Sequence, residues 1–286
     1  MSLRIVFWDV KHGNAAYIKT PNGKHIVCDL GIGSYEGNGE EFSPLLHLKN
    51  KYGVEKLNWV IVTHPHKDHI NDIMNFDEMS PTTFSRPRHL SEEDIMKDVR
   101  EQDKELFKKY FEIDKLYSGK IQQDLRLPEN TGGVSIETFF PTSCSASNIN
   151  NHSGVVVISY AESTVIIPGD NESASWKELL ANKSFVASIK NADILVAPHH
   201  GRDSGYYDEL FDHFSPYLTI ISDGRFCDTS ATDRYGAVTK GWKVHYRNGK
   251  SEERKCLTTR NDGYIVVDLG YNNDKKPFIS VTAKGK

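Results

Sequence analysis

Residues 64 to 69 read His64-Pro65-His66-Lys67-Asp68-His69, placing four metal-ligand side chains within six positions. His64 and His66, two apart in extended chain, can face one cation. Asp68 and His69 then begin a turn or helix and can reach a second. Imidazole combined with carboxylate suits zinc, and less often manganese or iron. Two histidines alone would read better as a polar loop with structural hydrogen bonds; the whole H-x-H-x-D-H pattern outweighs that reading. Gly169-Asp170 closes the apolar run VIIP, where a carboxylate could bridge two cations. In isolation this Asp would read as the cap of a helix starting near Glu172. His199-His200-Gly201 ends the run ILVAP. Adjacent histidines diverge, so one is a ligand and the other a supporting or leaving-group partner, and spacing does not say which.

Weaker candidates surround this set. His152, in NNHSG, precedes a strand and could complete the shell of the first cation; a surface-loop histidine is nearly as good a reading. Asp9 and Asp29 lie beside glycines near strand ends, where orienting backbone fits better than ligation. His12 has only loop context. Arg202 is placed to meet an anionic group, although a solvated salt bridge is the plainer assignment.

The elements that must position these residues alternate along the chain. Apolar runs at 4–10, 15–20 and 25–30 predict strands, the last two joined by the turn Pro21-Asn22-Gly23-Lys24, in which proline presets φ and Asn-Gly tolerates positive φ. A glycine-rich loop at 31–39 leads to a helix over 43–52. The continuous run LNWVIVT at 57–63 predicts a strand buried on both faces, delivering His64 at its end. Ser91 with Asp94 forms a capping box, followed by Ile95, Val99, Leu106, Tyr110 and Ile113 near helical spacing. The lysines of this stretch fit a solvated amphipathic helix better than a substrate-facing basic lid. Strands return at 155–160, 163–167, 193–197, 218–222 and 264–269, with helices at 173–182 and 206–211. The fold class is α+β, two sheets with helices outside them, forming a single core over 1–286.

The chain has 286 residues, 38% of them hydrophobic, and a net charge of −4 from 35 basic and 39 acidic side chains. That composition excludes a disordered chain, and no apolar run is long enough to span a bilayer. Mild acidity counts against a protein that coats long nucleic acid, though not against local phosphate binding. Cysteines 28, 144, 227 and 256 form no C-x-x-C pair, so neither a disulfide scaffold nor a thiolate zinc knuckle is indicated. The opening residues lack a signal-peptide layout, and a cytoplasmic protein without membrane association is expected.

The motif order, H-x-H-x-D-H after a buried strand, then Gly-Asp, then Pro-His-His-Gly, resembles the metallo-β-lactamase superfamily. More narrowly, DVKHGNA, TPNGKHIVCDLG, THPHKDH, IIPGD and APHHG are similar to the hydrolase domain at the C-terminus of ComEC-type DNA-uptake proteins, as are SPYLTIISDG and CLTTRNDGYIVV. The resemblance covers most of the chain except about 72–133, which reads as a helical insertion. It implies an αββα sandwich with the site at the edge of the two sheets. It also implies His64 and His66 on one metal, Asp68 and His69 on the other, Asp170 bridging, and the last ligand from His199 or His200. This chain departs from the uptake domains at Lys11, His12 and Asn14, and in having Arg202 after PHHG.

Two divalent ions, zinc or alternatively manganese or iron, would bring the pKa of a shared water near neutrality for attack on phosphorus or a carbonyl carbon. Asp68 could orient that water or accept its proton, and the free member of the His199-His200 pair could protonate the leaving oxygen. The leading expectation is therefore a binuclear metal-dependent hydrolase, a phosphodiesterase or nuclease acting on a phosphodiester or nucleic-acid substrate. A hydrolase of small esters, lactones or thioesters is the second reading. A non-catalytic metal-binding regulatory module is the third.

Overall fold

The computed structural model describes residues 1–285 apart from 34–40, 80, 120, 122 and 225–228, so Cys227 and most of the glycine-rich loop lie outside the described residues. In the first half, β1 (Ser2–Phe7), β2 (Ala16–Lys19) and β3 (His25–Cys28) precede α1 (Pro44–Tyr52), β4 (Trp59–Ile61) and the one-turn α2 (Lys67–Ile70). There follow β5 (Thr83–Ser85), α3 (Glu92–Met96), α4 (Lys104–Leu116) and β6 (Ser135–Phe139). The second half holds β7 (Val155–Tyr160), β8 (Ser163–Ile167), α5 (Ser173–Ala181), α6 (Lys183–Ile189), β9 (Ile194–Val196) and β10 (Leu218–Ile221). It closes with α7 (Thr232–Val238), β11 (Trp242–Tyr246), β12 (Ser251–Arg254), β13 (Cys256–Thr258), α8 (Thr259–Asp262), β14 (Ile265–Tyr271) and β15 (Pro277–Ala283).

The strands form a nine-stranded sheet, ordered β12-β11-β15-β14-β1-β2-β3-β4-β5, and a six-stranded sheet, ordered β13-β10-β9-β8-β7-β6. Alternation along each strand decides which layer a side chain enters. Ile5 and Phe7 of β1 meet Val156 and Ile158 of β7 between the sheets. Val155 and Val157 of β7 point outward to Trp176, Leu179 and Phe185 on α5 and α6. On the other side, Val27 and Val60 pack with Leu45 and Leu48 of α1 and Phe107 and Tyr110 of α4. The layers are therefore α, β, β, α, and each fully buried aliphatic chain contributes roughly 1.5–3 kcal/mol. No helix among the described residues is long and apolar enough to cross a membrane.

Several local expectations change in detail. Ser91 and Asp94 do form a capping box, but the helix it starts ends at Met96. Arg100 takes extended backbone, and the helix resumes only as α4, with Phe107, Tyr110, Phe111 and Ile113 buried. Buried Asp103 accepts a hydrogen bond from Lys67 Nζ at 2.6 Å, a tertiary contact that local periodicity does not encode. Lys104, Lys108, Lys109 and Lys115 are matched by Glu101, Glu105, Asp77 and Glu92, which fits a solvated face better than a basic lid. The stretch at 206–211 is no α-helix; a 3-10 turn at Asp208–Asp212 replaces it. Within 72–133, β5 pairs in parallel with β4 and extends the larger sheet.

The topology matters for chemistry because β3, β4 and β5 run parallel, as do β8, β9, β10 and β13. Their carboxyl ends share one edge of each sheet, where open sheets present loops. Gly154 N donates to the Thr63 carbonyl at 2.8 Å and His199 N to the Gly169 carbonyl at 3.2 Å, joining these loops.

Candidate metal centre

His64 follows β4 directly and is fully buried, and His66 caps α2. That short helix turns Asp68 and His69 back toward the same space. Asp170 follows β8 after Gly169, whose φ of +61° and contact with Thr63 leave no room for a side chain: an added Cβ would lie 2.8 Å from the Thr63 side chain. His200 follows β9. Asp68, His69, Asp170 and His200 each offer a ligand atom within 4.8 Å of the others. His69 Nε2 is 3.2 Å from Asp170 Oδ1, and His200 Nε2 lies 3.2 Å from Asp68 Oδ2 and 3.4 Å from Asp170 Oδ2. On the other side of Asp170, His64 Nε2 lies 3.8 Å from Oδ2, and the His66 ring sits 4.6 Å from the His64 ring.

Hydrogen bonds to the far ring nitrogens select which nitrogen faces the cluster. His69 Nδ1 donates to Asp29 Oδ2 at 2.8 Å, and His200 Nδ1 donates to the Ser222 carbonyl at 2.9 Å, so both present Nε2 inward. Asp29 is buried and also accepts from Thr63 N at 2.7 Å, Thr63 Oγ1 at 2.9 Å and Asn14 Nδ2 at 3.0 Å. It orients, and does not join the cluster.

His199 sits at the rim of the cluster, with Nε2 4.0 Å from Asp170 Oδ2. Its Nδ1 is 2.8 Å from Ser204 Oγ and 3.1 Å from Glu172 Oε1, and Arg202 Nη1 donates to its Nε2 at 3.1 Å. Both histidines adopt left-handed backbone, with φ of 50° and 56°. This conformation is costly for non-glycine residues, and it points the two rings apart. His152 is buried, with Nδ1 2.8 Å from His89 Nε2 and Nε2 3.2 Å from the Ser145 carbonyl. Its neighbour Ser153 accepts from Asp170 N at 3.0 Å. His12, a residue of weak sequence signal, reaches the site with Nε2 3.3 Å from Asp68 Oδ2 and its ring 4.6 Å from that of His200. Nothing local marked Ser222 or His89 as neighbours of the site, since each arrives from a distant strand end or loop, whereas Glu172 lies two residues after Asp170.

The electrostatics test whether these residues suit a cation. Burial opposes ionisation of Asp68 and Asp170, yet the His69 and His200 imidazoles hold both carboxyls below their usual range. Burial likewise opposes protonation of His69 and His200, but the surrounding carboxylates raise both, His200 to about 10. Protons on the imidazoles thus balance the negative charges of buried Asp170 and half-buried Asp68, a task a divalent cation does with the same donor atoms. Burial lowers the pKa of His64 well below the ordinary value, so its ring is neutral. Its Nε2 has no hydrogen-bond partner, although a buried nitrogen normally requires one. A neutral, unpartnered imidazole nitrogen beside a carboxylate suits a metal ligand, and the residues present fit divalent-metal binding.

A four-layer αββα sandwich carrying histidines and aspartates at the parallel strand ends defines a metallo-hydrolase class. The chain belongs to the metallo-beta-lactamase superfamily, whose sequence profile matches residues 8–212, and whose members are mostly metal-dependent hydrolases. Among solved structures it is similar to a protein from Parabacteroides distasonis described as a metal-dependent hydrolase, at 14% identity and a TM-score of 0.44, covering 90% of this chain and 93% of the other. It is also similar to a diphosphatase of the PhnP family, at 12% identity and a TM-score of 0.42, covering 91% of this chain and 85% of the other. A Thermotoga maritima protein described as a metallo-beta-lactamase aligns at 16% identity and a TM-score of 0.36, over 65% of this chain and 85% of the other. No curated protein matches the chain.

Proposed function

We propose that this protein is a binuclear metal-dependent phosphodiesterase, with zinc as the metal. The observation that carries the metal assignment is the convergence of Asp68, His69, Asp170 and His200, with the unpartnered His64 Nε2 on the far side of Asp170. In this reading His64 and His66 would hold one ion and Asp68, His69 and His200 the other, with Asp170 offering its carboxylate oxygens to the same space. His152 would join the first set only by giving up the Ser145 carbonyl. Bound divalent ions supply Lewis acidity and a water acidic enough to ionise near neutral pH.

The chain's own groups do the rest. Asp29 and the Ser222 carbonyl fix the rings of His69 and His200. Asp68, the most accessible of the cluster's carboxylates, can accept a proton from an incoming nucleophile. His199 Nε2 accepts from Arg202 and so carries no proton for a leaving oxygen; braced at Nδ1 by Glu172 and Ser204, it steadies the Arg202 guanidinium beside the cluster instead. Arg202 donates through Nη1 to His199, and its guanidinium brings to the rim of the cluster a positive charge that an anionic substrate can use. A phosphodiester, with its permanent charge, uses that guanidinium better than a neutral ester or lactone does. The similarity of DVKHGNA, THPHKDH and APHHG to DNA-uptake hydrolase domains supports the same substrate class, with nuclease activity as its sharper form.

The test is the purified, zinc-loaded protein assayed on bis-p-nitrophenyl phosphate, single-stranded DNA and a lactone panel. Phosphodiester turnover that stops with a chelator is expected. Turnover of lactones alone would replace this reading with the ester hydrolase, and a protein that binds no metal would replace it with a regulatory module.

A further inference from the structure

Beside α1, on the face of the nine-stranded sheet turned away from the sandwich core, lies a cavity of about 310 Å³. No residue of the metal-ligand cluster lines it. One wall is a row of flat rings. Trp8 stacks on Tyr17 with centroids 5.9 Å apart and planes 16° from parallel, and Tyr17 continues onto His25 at 6.0 Å and 11°. The Tyr17 hydroxyl, 2.6 Å from His25 Nδ1, fixes this row. Val6, Leu48 and Val54 add apolar surface.

The charges in the lining do not cancel. Arg4, Lys19 and Lys284 are set against a single carboxylate, Asp268. Arg4 occupies that carboxylate with two hydrogen bonds, 2.8 and 3.0 Å long. Lys19 and Lys284 have no carboxylate partner among the described residues, and the cavity carries the positive charge of two ammonium groups beside an aromatic wall.

We propose that this cavity is a binding site for a planar aromatic anion with the size and charge of a nucleoside monophosphate. A lining of aromatic edges with Val6, Leu48 and Val54 favours an aromatic guest over a wholly polar one. Two uncompensated cations reward an anionic substituent and disfavour a cationic guest. The volume is at the small end of the range for ligand pockets, which suits a single nucleotide unit. The site is separate from the catalytic reading above and does not depend on it.

The experiment titrates AMP into the zinc-loaded protein, followed by calorimetry and tryptophan fluorescence, with adenosine and inorganic phosphate as separate arms. One saturable site is expected, with both fragments binding at least tenfold more weakly than AMP. The Lys19→Ala/Lys284→Ala protein should bind at least tenfold more weakly than the unmodified one, with thermal unfolding and the single variants confirming that folding is intact. Binding should survive chelator treatment. Absence of saturation, equal binding of phosphate alone, undiminished affinity in the double variant, or loss of binding with the chelator would each overturn the proposal.

Discussion

Asp29 touches no residue's ligand atom on the cluster side, yet the orientation of His69 depends on it. Losing such an orienting partner costs roughly 10–100-fold in metal affinity in other sites. Asp29→Asn tolerates the positive φ of 60° at this position but removes the charge that accepts from His69 Nδ1. It should weaken zinc binding by about that factor, measured by competition with a chromophoric chelator. Asp68 presents a different case, because it is partly exposed and lies between His12 and His200. Asp68→Ala should abolish phosphodiester turnover while leaving the thermal transition cooperative; full activity in that variant would remove Asp68 from the chemistry.

At the scale of elements, the connection between β1 and β2 is wedged against α2. Gly13 has a φ of +142°, and a Cβ there would lie 2.4 Å from the Asp68 carbonyl oxygen. Gly13→Ala must therefore displace α2, and bound zinc per chain and melting temperature should fall together. The start of α1 is held from outside by Asp72, which accepts from Ser43 Oγ at 2.6 Å, Leu45 N at 2.9 Å and Asn75 Nδ2 at 2.8 Å. Burial pushes the Asp72 carboxyl up to about 6 in spite of those donors. Between the ordinary value of 3.8 and about 6, the folded chain keeps a proton that the unfolded chain has released. Stability therefore falls as pH rises through that window. Urea midpoints from pH 4 to 6 should decline more steeply for the unmodified protein than for Asp72→Asn, and equal slopes would discount this group.

Over the whole molecule, the cluster draws residues from both sheets: Asp68 and His69 from the larger, Asp170 and His200 from the smaller. A cation bound there ties the two halves of the sandwich together. Because the unfolded chain has no such site, binding adds to folding stability, by about 2.7 kcal/mol at a hundredfold excess of free ion over Kd. Chelator-stripped protein should melt at a lower temperature and recover when zinc is returned; a melting temperature indifferent to zinc would contradict a site spanning both sheets. The strands beyond the superfamily match complete this architecture. β14 pairs with β1 along its whole length and carries β15 on its other side.

What the sequence alone made legible was local. The apolar run at 57–63 and the dense His/Asp stretch after it describe a buried strand and the loop at its end, because both signals lie within a few residues. The same holds for the proline turn before β3, for the Ser91 capping box, and for the apolar alternation that marks an α+β sandwich. Short edge strands such as β5, β12 and β13 were not legible, since three or four residues carry no period of their own and are strands only because a neighbour offers hydrogen bonds. Nor did spacing decide between His199 and His200, or show that His152 meets His89 and the Ser145 carbonyl. Those outcomes depend on left-handed backbone and on partners far away in the chain, 63 residues for His152 with His89 and 131 for His200 with His69. The chain encodes which side chains are available; only the packing of one sheet on the other sets which nitrogen and which oxygen finally meet.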